Sequence, residues 1–356
     1  MKYLIAQDWP STSGNHAGMV HMCKLLVQNY PKDYKLIINP YPSYKSLNQK
    51  NGKFINCLCK VSNKIQTILF NKYSQIRIYT QLVHQLKPGD EVFLLEYMVL
   101  AFPQHLIAKL IKQTKPDVKV YGLIHFTPSY LRKYSIHRYL ADWLKPIDKV
   151  LTLGSSLTEY LLSNTSNVKV STGFHYVDND FYNNNNILRC RSCPTAIVMG
   201  GMQRNYKLLA EVVKQTQNIN WFICKGNLNL GDLFKDYSNV KLFGYLKEEA
   251  LRDLMHKSDI SVNIMDDTVG SNVITTSLAS GLVVVVSNVG SIRDYCTEGE
   301  AMFCENNVDS FTSQLNRLCN SLDTINSMKK NARKKAEFYS IQNIHNWFST
   351  LKEDSR

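Results

Sequence analysis

A small polar turn between two apolar runs carries the strongest chemical signal in this sequence of 356 residues. Gly270, Ser271 and Asn272 follow the run 259–264 and precede the fully apolar run 283–286. A Gly-Ser-Asn sequence at this point is typical of a helix start, where Ser and Asn cap backbone N–H groups. Unpaired N–H groups and the helix dipole bind anions, and a diphosphate fits such a site. An ordinary capped crossover helix is the alternative.

Cations in the same half of the chain could neutralise a diphosphate. Arg204 comes soon after the run 196–199 and a Gly pair, which makes it the first candidate. Lys207 and Lys225 are weaker candidates. For each of the three, an ordinary surface cation is the alternative.

The first half of the chain offers a second group of candidates. Gly14 lies in a polar loop, 11–18, where glycine allows the backbone to approach a ligand closely. His125 ends the run 118–124, and site residues collect where parallel strands end. His16 and Glu96 are lesser candidates. A core or loop histidine is the alternative for His125.

Short β-branched runs alternate with amphipathic stretches along the chain, which predicts two doubly wound α/β domains with parallel sheets. Residues 19–26 and 310–352 have helical patterns. We predict strands at residues 3–6, 34–38, 92–95, 118–124, 150–153, 196–199, 221–224, 240–243, 260–264 and 282–286.

A polar segment rich in asparagine divides the two halves, and it is either a linker or a long surface loop. We predict an N-terminal acceptor-side domain over 1–177, a linker over 178–194 and a C-terminal donor domain over 195–335. The remainder, 336–356, is predicted to be a helix that could pack back on the N-terminal domain.

The net charge of +13 is concentrated in residues 1–180, which hold 22 Lys and Arg against 11 Asp and Glu. Such a field attracts nucleic acid, anionic lipid or phosphorylated substrates, although a solvated Lys-rich surface is an equal alternative. Aromatic and cationic residues alternate over 130–145, which predicts a helix at an anionic membrane surface. A helix packed on the sheet with its cations extended to water is the alternative.

Nine scattered cysteines predict free thiols in a reducing cytoplasm rather than a disulfide framework. Cys190 and Cys193 form a CxxC pair and Cys57 and Cys59 a CxC pair, but structural zinc normally needs four ligands, so we expect no metal. The sequence shows neither a signal peptide nor a run apolar enough to span a membrane.

Three stretches in order, 199–209, 238–260 and 266–295, resemble the donor domain of the glycosyltransferase family 4 group, also called group 1. The resemblance implies a GT-B fold, with two Rossmann-like domains facing a cleft. It also implies a nucleotide-sugar donor and a retaining transfer that needs neither metal nor cofactor. His125 and Arg204 become the catalytic candidates. The donor-binding candidates are Gly14, Arg204, Lys207, Asp267, Gly270, Ser271, Asn272, Val273 and Thr276.

The sequence also departs from the family pattern. The family usually has two Glu eight residues apart, and Thr268 and Thr276 stand at those positions here. Thr276 can bond a ribose hydroxyl only as a neutral and weaker partner. Asp266 or Asp267 could replace the first carboxylate, and Val283 stands where the family has Pro.

Together these features predict a cytoplasmic glycosyltransferase, peripheral at the inner face of the membrane. Its acceptor would be a glycan or a lipid-linked molecule in the synthesis of cell-surface polysaccharide or glycoconjugate. A nucleotide-sugar epimerase on the same fold and a non-catalytic nucleotide or glycan binder are the alternatives. Nucleic-acid binding ranks last because no motif for it is present.

Overall fold

The computed structural model describes residues 1–9, 14–39, 53–99, 104–134, 136–184, 188 and 193–352, with only the backbone described over 53–60. The described chain forms two α/β domains, each built on a six-stranded parallel sheet. The strands are β1 Lys2–Gln7, β2 Tyr34–Asn39, β3 Glu91–Leu94, β4 Lys119–Ile124, β5 Lys149–Thr152, β6 Val170–Thr172, β7 Thr195–Met199, β8 Asn220–Cys224, β9 Val240–Phe243, β10 Ile260–Asn263, β11 Val283–Ser287 and β12 Ala301–Cys304.

Helices connect the strands and cover both faces of each sheet. The α-helices are α1 Met19–Asn29, α2 Lys53–Val83, α3 His105–Thr114, α4 Pro128–Lys133, α5 Leu140–Leu144, α6 Ser155–Asn164, α7 Tyr206–Gln215, α8 Gly231–Phe234, α9 Glu248–His256, α10 Asn272–Ala279, α11 Ile292–Tyr295, α12 Val308–Cys319, α13 Leu322–Ala336 and α14 Ile341–Thr350. Ile136–Tyr139 and Glu337–Tyr339 are 3₁₀ turns.

Both sheets are doubly wound, but their strand orders differ. The first runs β2-β1-β3-β4-β5-β6 and the second β12-β11-β10-β7-β8-β9. In each sheet the first strand of the domain lies inside the sheet, as in a doubly wound fold. The expected α/β class and GT-B architecture are therefore confirmed. The central strands β1, β3 and β11 are buried on both faces, which explains their continuous apolar runs.

Two strands, β6 and β12, were not predicted from the sequence. β6 has only three residues, and β12 has a half-buried Met302-Phe303 centre without β-branched residues. Both lie at sheet edges, where a strand needs less apolar sequence because one side faces away from the sheet.

The single helix predicted over 130–145 is wrong, because this segment divides into α4, a 3₁₀ turn and α5. Leu131, Ile136, Leu140 and Leu144 all enter the core. Ile136 is five positions after Leu131, and at about 100° per residue one continuous helix would point these two side chains to different faces. The break lets all four reach the sheet, so the segment packs there as the alternative reading proposed.

The C-terminal helix α14 packs on the N-terminal domain rather than on the domain that precedes it. Phe348 stacks near Phe93 of β3, with ring centroids 4.5 Å apart. Lys149 at the start of β5 donates to the carbonyl of Leu351. The chain thus crosses between the domains twice, and the two crossings are joined by a bond from Val177 N to Tyr339 O of 3.0 Å.

None of the helices within the described residues combines the length and apolarity that crossing a membrane would take. Several sequence features lie outside the described residues: Ser11 to Ser13 of the polar loop, Cys190, and the side chains of Cys57 and Cys59.

Candidate active site

The carboxyl ends of both sheets face a cleft, and a cavity of about 490 Å³ lies within it. Gly14 and Asn15 line it from the N-terminal domain. Gly14 has φ +85°, and no heavy atom of the described residues lies within 4 Å of the position where a Cβ would be, so its backbone is open to the cavity. The C-terminal domain contributes Met199, Gly200, Cys224, Gly226, Gly244, Tyr245, Leu246, Lys247, Glu248, Glu249 and Leu251.

Arg204 lies beside this cavity without an anionic partner. Its Nε and Nη1 atoms are buried, and no group in the described part of the chain accepts a hydrogen bond from them. Burial lowers the pKa of Arg204 to about 10, so the side chain stays charged at neutral pH. Nη2 lies 3.5 Å from the place where a Cβ on Gly200 would be, and Gly200 lines the cavity.

The backbone around Arg204 is held firmly. Arg204 forms an isolated antiparallel bridge with Met265, and Asn205 N donates to Ile264 O over 3.0 Å. The Asn205 side chain caps α7 by accepting from Leu208 N. These hydrogen bonds join the loop after β7, which holds Arg204, to the loop after β10.

The helix start predicted from Gly270, Ser271 and Asn272 is observed. Ser271 is the N-cap of α10, and its hydroxyl accepts from Val273 N over 3.1 Å. Val273 Cγ2 would lie 3.3 Å from a Cβ on Gly200, so the start of α10 borders the same region as Arg204. Asn272 Oδ1 is buried, and the hydrogen bond between the Asn272 side chain and His175 opposes part of the effect of burial on the pKa of that histidine.

Only glycine fits at position 270 without a steric clash. Its φ is +95°, and a Cβ there would lie 2.2 Å from the ring of Tyr295. Tyr295 is buried, donates to Leu153 O and accepts from His175 N, both in the N-terminal half. Gly270 therefore leaves room for Tyr295, which connects the start of α10 to the N-terminal half through its hydrogen bonds.

The other predicted donor contacts have separate surroundings. Asp267 Oδ2 accepts from the Ser129 hydroxyl over 2.6 Å, which joins it to the N-terminal domain. Lys207 is exposed on α7, and Lys225 Nζ donates to Leu228 O. Thr276 is buried and its hydroxyl donates to Val273 O within α10. None of these four side chains lines the described cavity.

His125 lies at the end of β4 and is oriented by the backbone. Its Nε2 donates to the carbonyl of Leu95, because a carbonyl oxygen can only accept. In a neutral imidazole that donates from Nε2, Nδ1 is the nitrogen that can accept a hydrogen bond. Glu96 Oε2 lies 3.8 Å from Nε2. Burial raises the pKa of Glu96, and His125 opposes that rise.

His175 is a candidate that the sequence reasoning missed. Its ring centroid is 6.4 Å from that of His125 and 6.2 Å from that of Tyr295. Burial lowers the pKa of His175 to about 3. The signal that selected His125, a histidine just past a strand, also applies to His175, but the short strand β6 before it was not predicted.

A second polar cluster borders the cleft from the linker side. Asp178 Oδ2 accepts from His16 Nδ1 at 2.8 Å and from His21 Nε2 at 3.1 Å. Burial raises the pKa of Asp178, but the bonds from His21 and His16 outweigh burial and hold that pKa well below its usual range. His16 thus serves to fix the linker to α1.

Tyr245 and Glu248 were also missed as cavity residues. Both lie in the stretch 238–260, whose Gly and Glu residues were used to recognise the family pattern. They were therefore not considered as residues that bind a ligand. The Tyr182 hydroxyl bonds to Glu248, and burial raises the pKa of that carboxyl.

Two parallel six-stranded α/β domains facing one cleft form the GT-B fold, which a solved glycosyltransferase structure shares. The family model described as Glycosyl transferases group 1 matches residues 193–321, the part that holds Arg204 and α10. The chain therefore has the GT-B fold, and residues 193–321 of its C-terminal half are similar to the group 1 glycosyltransferases. No curated protein matches its sequence.

Solved structures resemble the chain over its whole length at low sequence identity. Sucrose-phosphate synthase from Thermosynechococcus elongatus has a TM-score of 0.71 and 10% identity, covering 99% of both chains. HepE from Anabaena, solved with UDP-glucose, has a TM-score of 0.71 and 11% identity, covering 99% of both. A glycosyltransferase from Rickettsia africae has a TM-score of 0.66 and 15% identity, covering 99% of this chain and 98% of the other.

Proposed function

We propose that this enzyme transfers a sugar from a nucleoside-diphosphate sugar to a glycan or lipid-linked acceptor, in the synthesis of cell-surface polysaccharide or glycoconjugate. The observation that carries the proposal is the Arg204 guanidinium beside the cavity wall at Gly200, whose buried Nε and Nη1 have no hydrogen-bond partner among the described residues. An unpaired buried charge costs several kcal/mol, and an anionic ligand would offset that cost. A diphosphate placed against Arg204 would also meet the start of α10, whose dipole favours negative charge.

The same groups suit the chemical step. When the bond from the sugar to the diphosphate breaks, negative charge grows on the leaving oxygen. A cation and helix dipole already aimed there stabilise the transition state more than the ground state. We propose that this arrangement serves a metal-independent transfer with retention of configuration, as the family resemblance implies. The anomeric form of the first product, followed by NMR, tests retention.

The acceptor would approach from the N-terminal side of the cleft. His125 offers Nδ1 as a hydrogen-bond acceptor because the Leu95 carbonyl occupies Nε2. We propose that Nδ1 orients a hydroxyl of the sugar or the acceptor. The Glu96 carboxylate, 3.8 Å from Nε2, would help to hold the ring in place. Gly14, at the same side, would let the backbone approach the bound donor.

Uridine nucleotides are the first donors to test, because HepE was solved with UDP-glucose. The measurement is the rise in melting temperature with UDP, GDP, ADP and their sugar conjugates. A ligand that binds only the folded state at 100 times its Kd adds about 2.7 kcal/mol of stability. Arg204→Ala should weaken the responding nucleotide by about 10- to 100-fold, since a charged hydrogen bond contributes about 1.5–3 kcal/mol.

Lys214→Ala is the matched control, because Lys214 is an exposed cation on the neighbouring helix α7. It should leave the nucleotide response unchanged. No response to any nucleotide would contradict the proposal. A response without release of the nucleoside diphosphate in the presence of acceptors would indicate a binder. Conversion of the donor sugar without an acceptor would indicate an epimerase.

We further propose that the enzyme works in the cytoplasm, with its basic N-terminal domain against an anionic membrane surface. The six cysteines that the structure describes are free thiols, which suits a reducing compartment. The charge of residues 1–180 favours anionic lipid, as would the need to reach a lipid-linked acceptor.

A further inference from the structure

The long helix α2 of the N-terminal domain leaves an apolar face in water. Six large apolar residues on it are between 47 and 65% exposed: Val61, Ile65, Ile68, Leu69, Tyr73 and Ile76. At about 100° per residue they occupy a single arc of the helix, so they form one stripe rather than scattered positions. An exposed apolar stripe of this size marks a contact surface.

Among residues 61–83 of α2, whose side chains the structure describes, the buried positions are Ser74, Gln75, Ile78 and Leu82, all in the last part of the helix. This part packs against α3 and β2. With 31 residues, α2 is about 46 Å long, whereas a six-residue strand of the sheet is about 20 Å long. The first part of the helix therefore extends past the sheet.

The direction of that extension follows from the chain order. Only seven residues join the end of α2 at Val83 to the start of β3 at Glu91, so α2 ends at the amino edge of the sheet. Its free part consequently projects beyond the opposite, carboxyl edge, where the cleft lies. The apolar stripe is thus on the same side of the domain as the candidate active site.

Charge identifies the surface that this stripe fits. From Tyr34 to Gly89 the sequence contains nine Lys and Arg and no Asp or Glu. Lys72 is exposed in the middle of the apolar arc and Lys64 is exposed at its border. Long cationic side chains can extend from an apolar surface to lipid phosphates while the apolar residues enter the interface.

A second copy of this chain fits the stripe less well. Face-to-face pairing of two α2 helices would bring Lys72 and Lys64 of each copy together, and α2 has no acidic residue to pair with them. Like charges placed together in an apolar contact are destabilising, whereas anionic headgroups neutralise them.

We infer that the exposed face of α2, defined by Val61, Ile65, Ile68, Leu69, Tyr73 and Ile76 with Lys64 and Lys72, docks the enzyme on an anionic lipid surface. This inference rests on the proposed function, since it gives the lipid-linked acceptor its route. The helix lies in the headgroup region with its apolar residues inward and brings the mouth of the cleft to the membrane.

Flotation with vesicles of equal parts phosphatidylcholine and phosphatidylglycerol tests the inference. The wild type should float with them at low salt, float less as salt rises, and stay behind with pure phosphatidylcholine. The double variant Ile65→Glu, Leu69→Glu should bind about tenfold less or weaker still, because two anchors are lost and two like charges face the lipid. Lys64→Gln and Lys72→Gln should each weaken binding about fivefold.

Leu162→Glu is the matched control, because Leu162 is an equally exposed leucine on α6 of the same domain, 55% exposed. It should bind within about twofold of the wild type. The inference would be overturned if the wild type did not float with anionic vesicles. It would also be overturned if the double variant bound them as well as the wild type, or if Leu162→Glu lost as much binding as the double variant. A wild-type dimer that ignores vesicles and becomes monomeric in the double variant would overturn it too, and would make a second copy the occupant.

The nucleotide-induced rise in melting temperature separates this inference from the proposed function. The double variant should keep the full rise, since α2 does not line the cavity. Normal nucleotide binding without vesicle binding refutes only the membrane contact, whereas vesicle binding without any nucleotide response refutes only the donor site.

Discussion

Replacing Gly270 with Ala should destabilise the fold well beyond the usual effect of adding one methyl group. Gly270 has φ +95°, which costs an L-residue about 1–2 kcal/mol. The new Cβ would also lie 2.2 Å from the Tyr295 ring, and relieving such overpacking costs about 1–3 kcal/mol more. The free energy of unfolding should therefore fall by about 2–5 kcal/mol.

Gly226→Ala separates the two contributions within the same domain. Gly226 also has a positive φ, +54°, but no heavy atom lies within 4 Å of its Cβ position. Its substitution should cost only the backbone strain, about 1–2 kcal/mol. Urea unfolding followed by tryptophan fluorescence measures both variants. If Gly270→Ala were no less stable than Gly226→Ala, the close contact with Tyr295 would not carry the effect and the reasoning would be refuted.

Two further predictions concern other polar contacts of the cleft. His175 has a pKa of about 3 when folded and about 6.5 when unfolded, so only the unfolded chain takes up a proton between these values. The stability that the neutral His175 contributes is complete above pH 6.5, and the free energy of unfolding declines by about 1.4 kcal/mol per pH unit below it. His175→Gln should remove this part of the pH dependence. Parallel curves of stability against pH for the wild type and the variant between pH 7.5 and 5.5 would contradict the prediction. For the bond between Ser129 and Asp267, a double-mutant cycle with Ser129→Ala and Asp267→Asn should give a coupling of about 1.5–3 kcal/mol in urea unfolding, and additive effects would show that the bond contributes nothing.

Local signals predicted much of the architecture. Apolar runs bounded by polar turns placed ten strands, and the capping residues at Ser271 placed the start of α10. These signals work because strand burial and helix capping depend on near neighbours in the sequence. The edge strands β6 and β12 were missed because short edge strands need little apolar sequence.

The surroundings of the site residues were harder to predict. Arg204 was selected by its position after a strand, but that it lacks a partner depends on residues brought together by folding. The bond from Ser129 to Asp267 joins residues 138 positions apart in different domains, which no local pattern encodes. The roles assigned to Asp267, Lys207 and Thr276 stay predictions, as does the domain boundary at 178–194.

The double crossing between the domains limits how the two domains can move relative to each other. A single linker would let one domain swivel freely about the other. Here the segment at Val177 and the returning segment at Tyr339 are joined by a backbone hydrogen bond, so together they form a two-stranded hinge between the domains. The domains are left with opening and closing about this line, while twisting would break the bond. The N-terminal domain also depends on the end of the chain, because Phe348 completes its core against Phe93. The core of the N-terminal domain is therefore built from both ends of the chain and is complete only when α14 is in place.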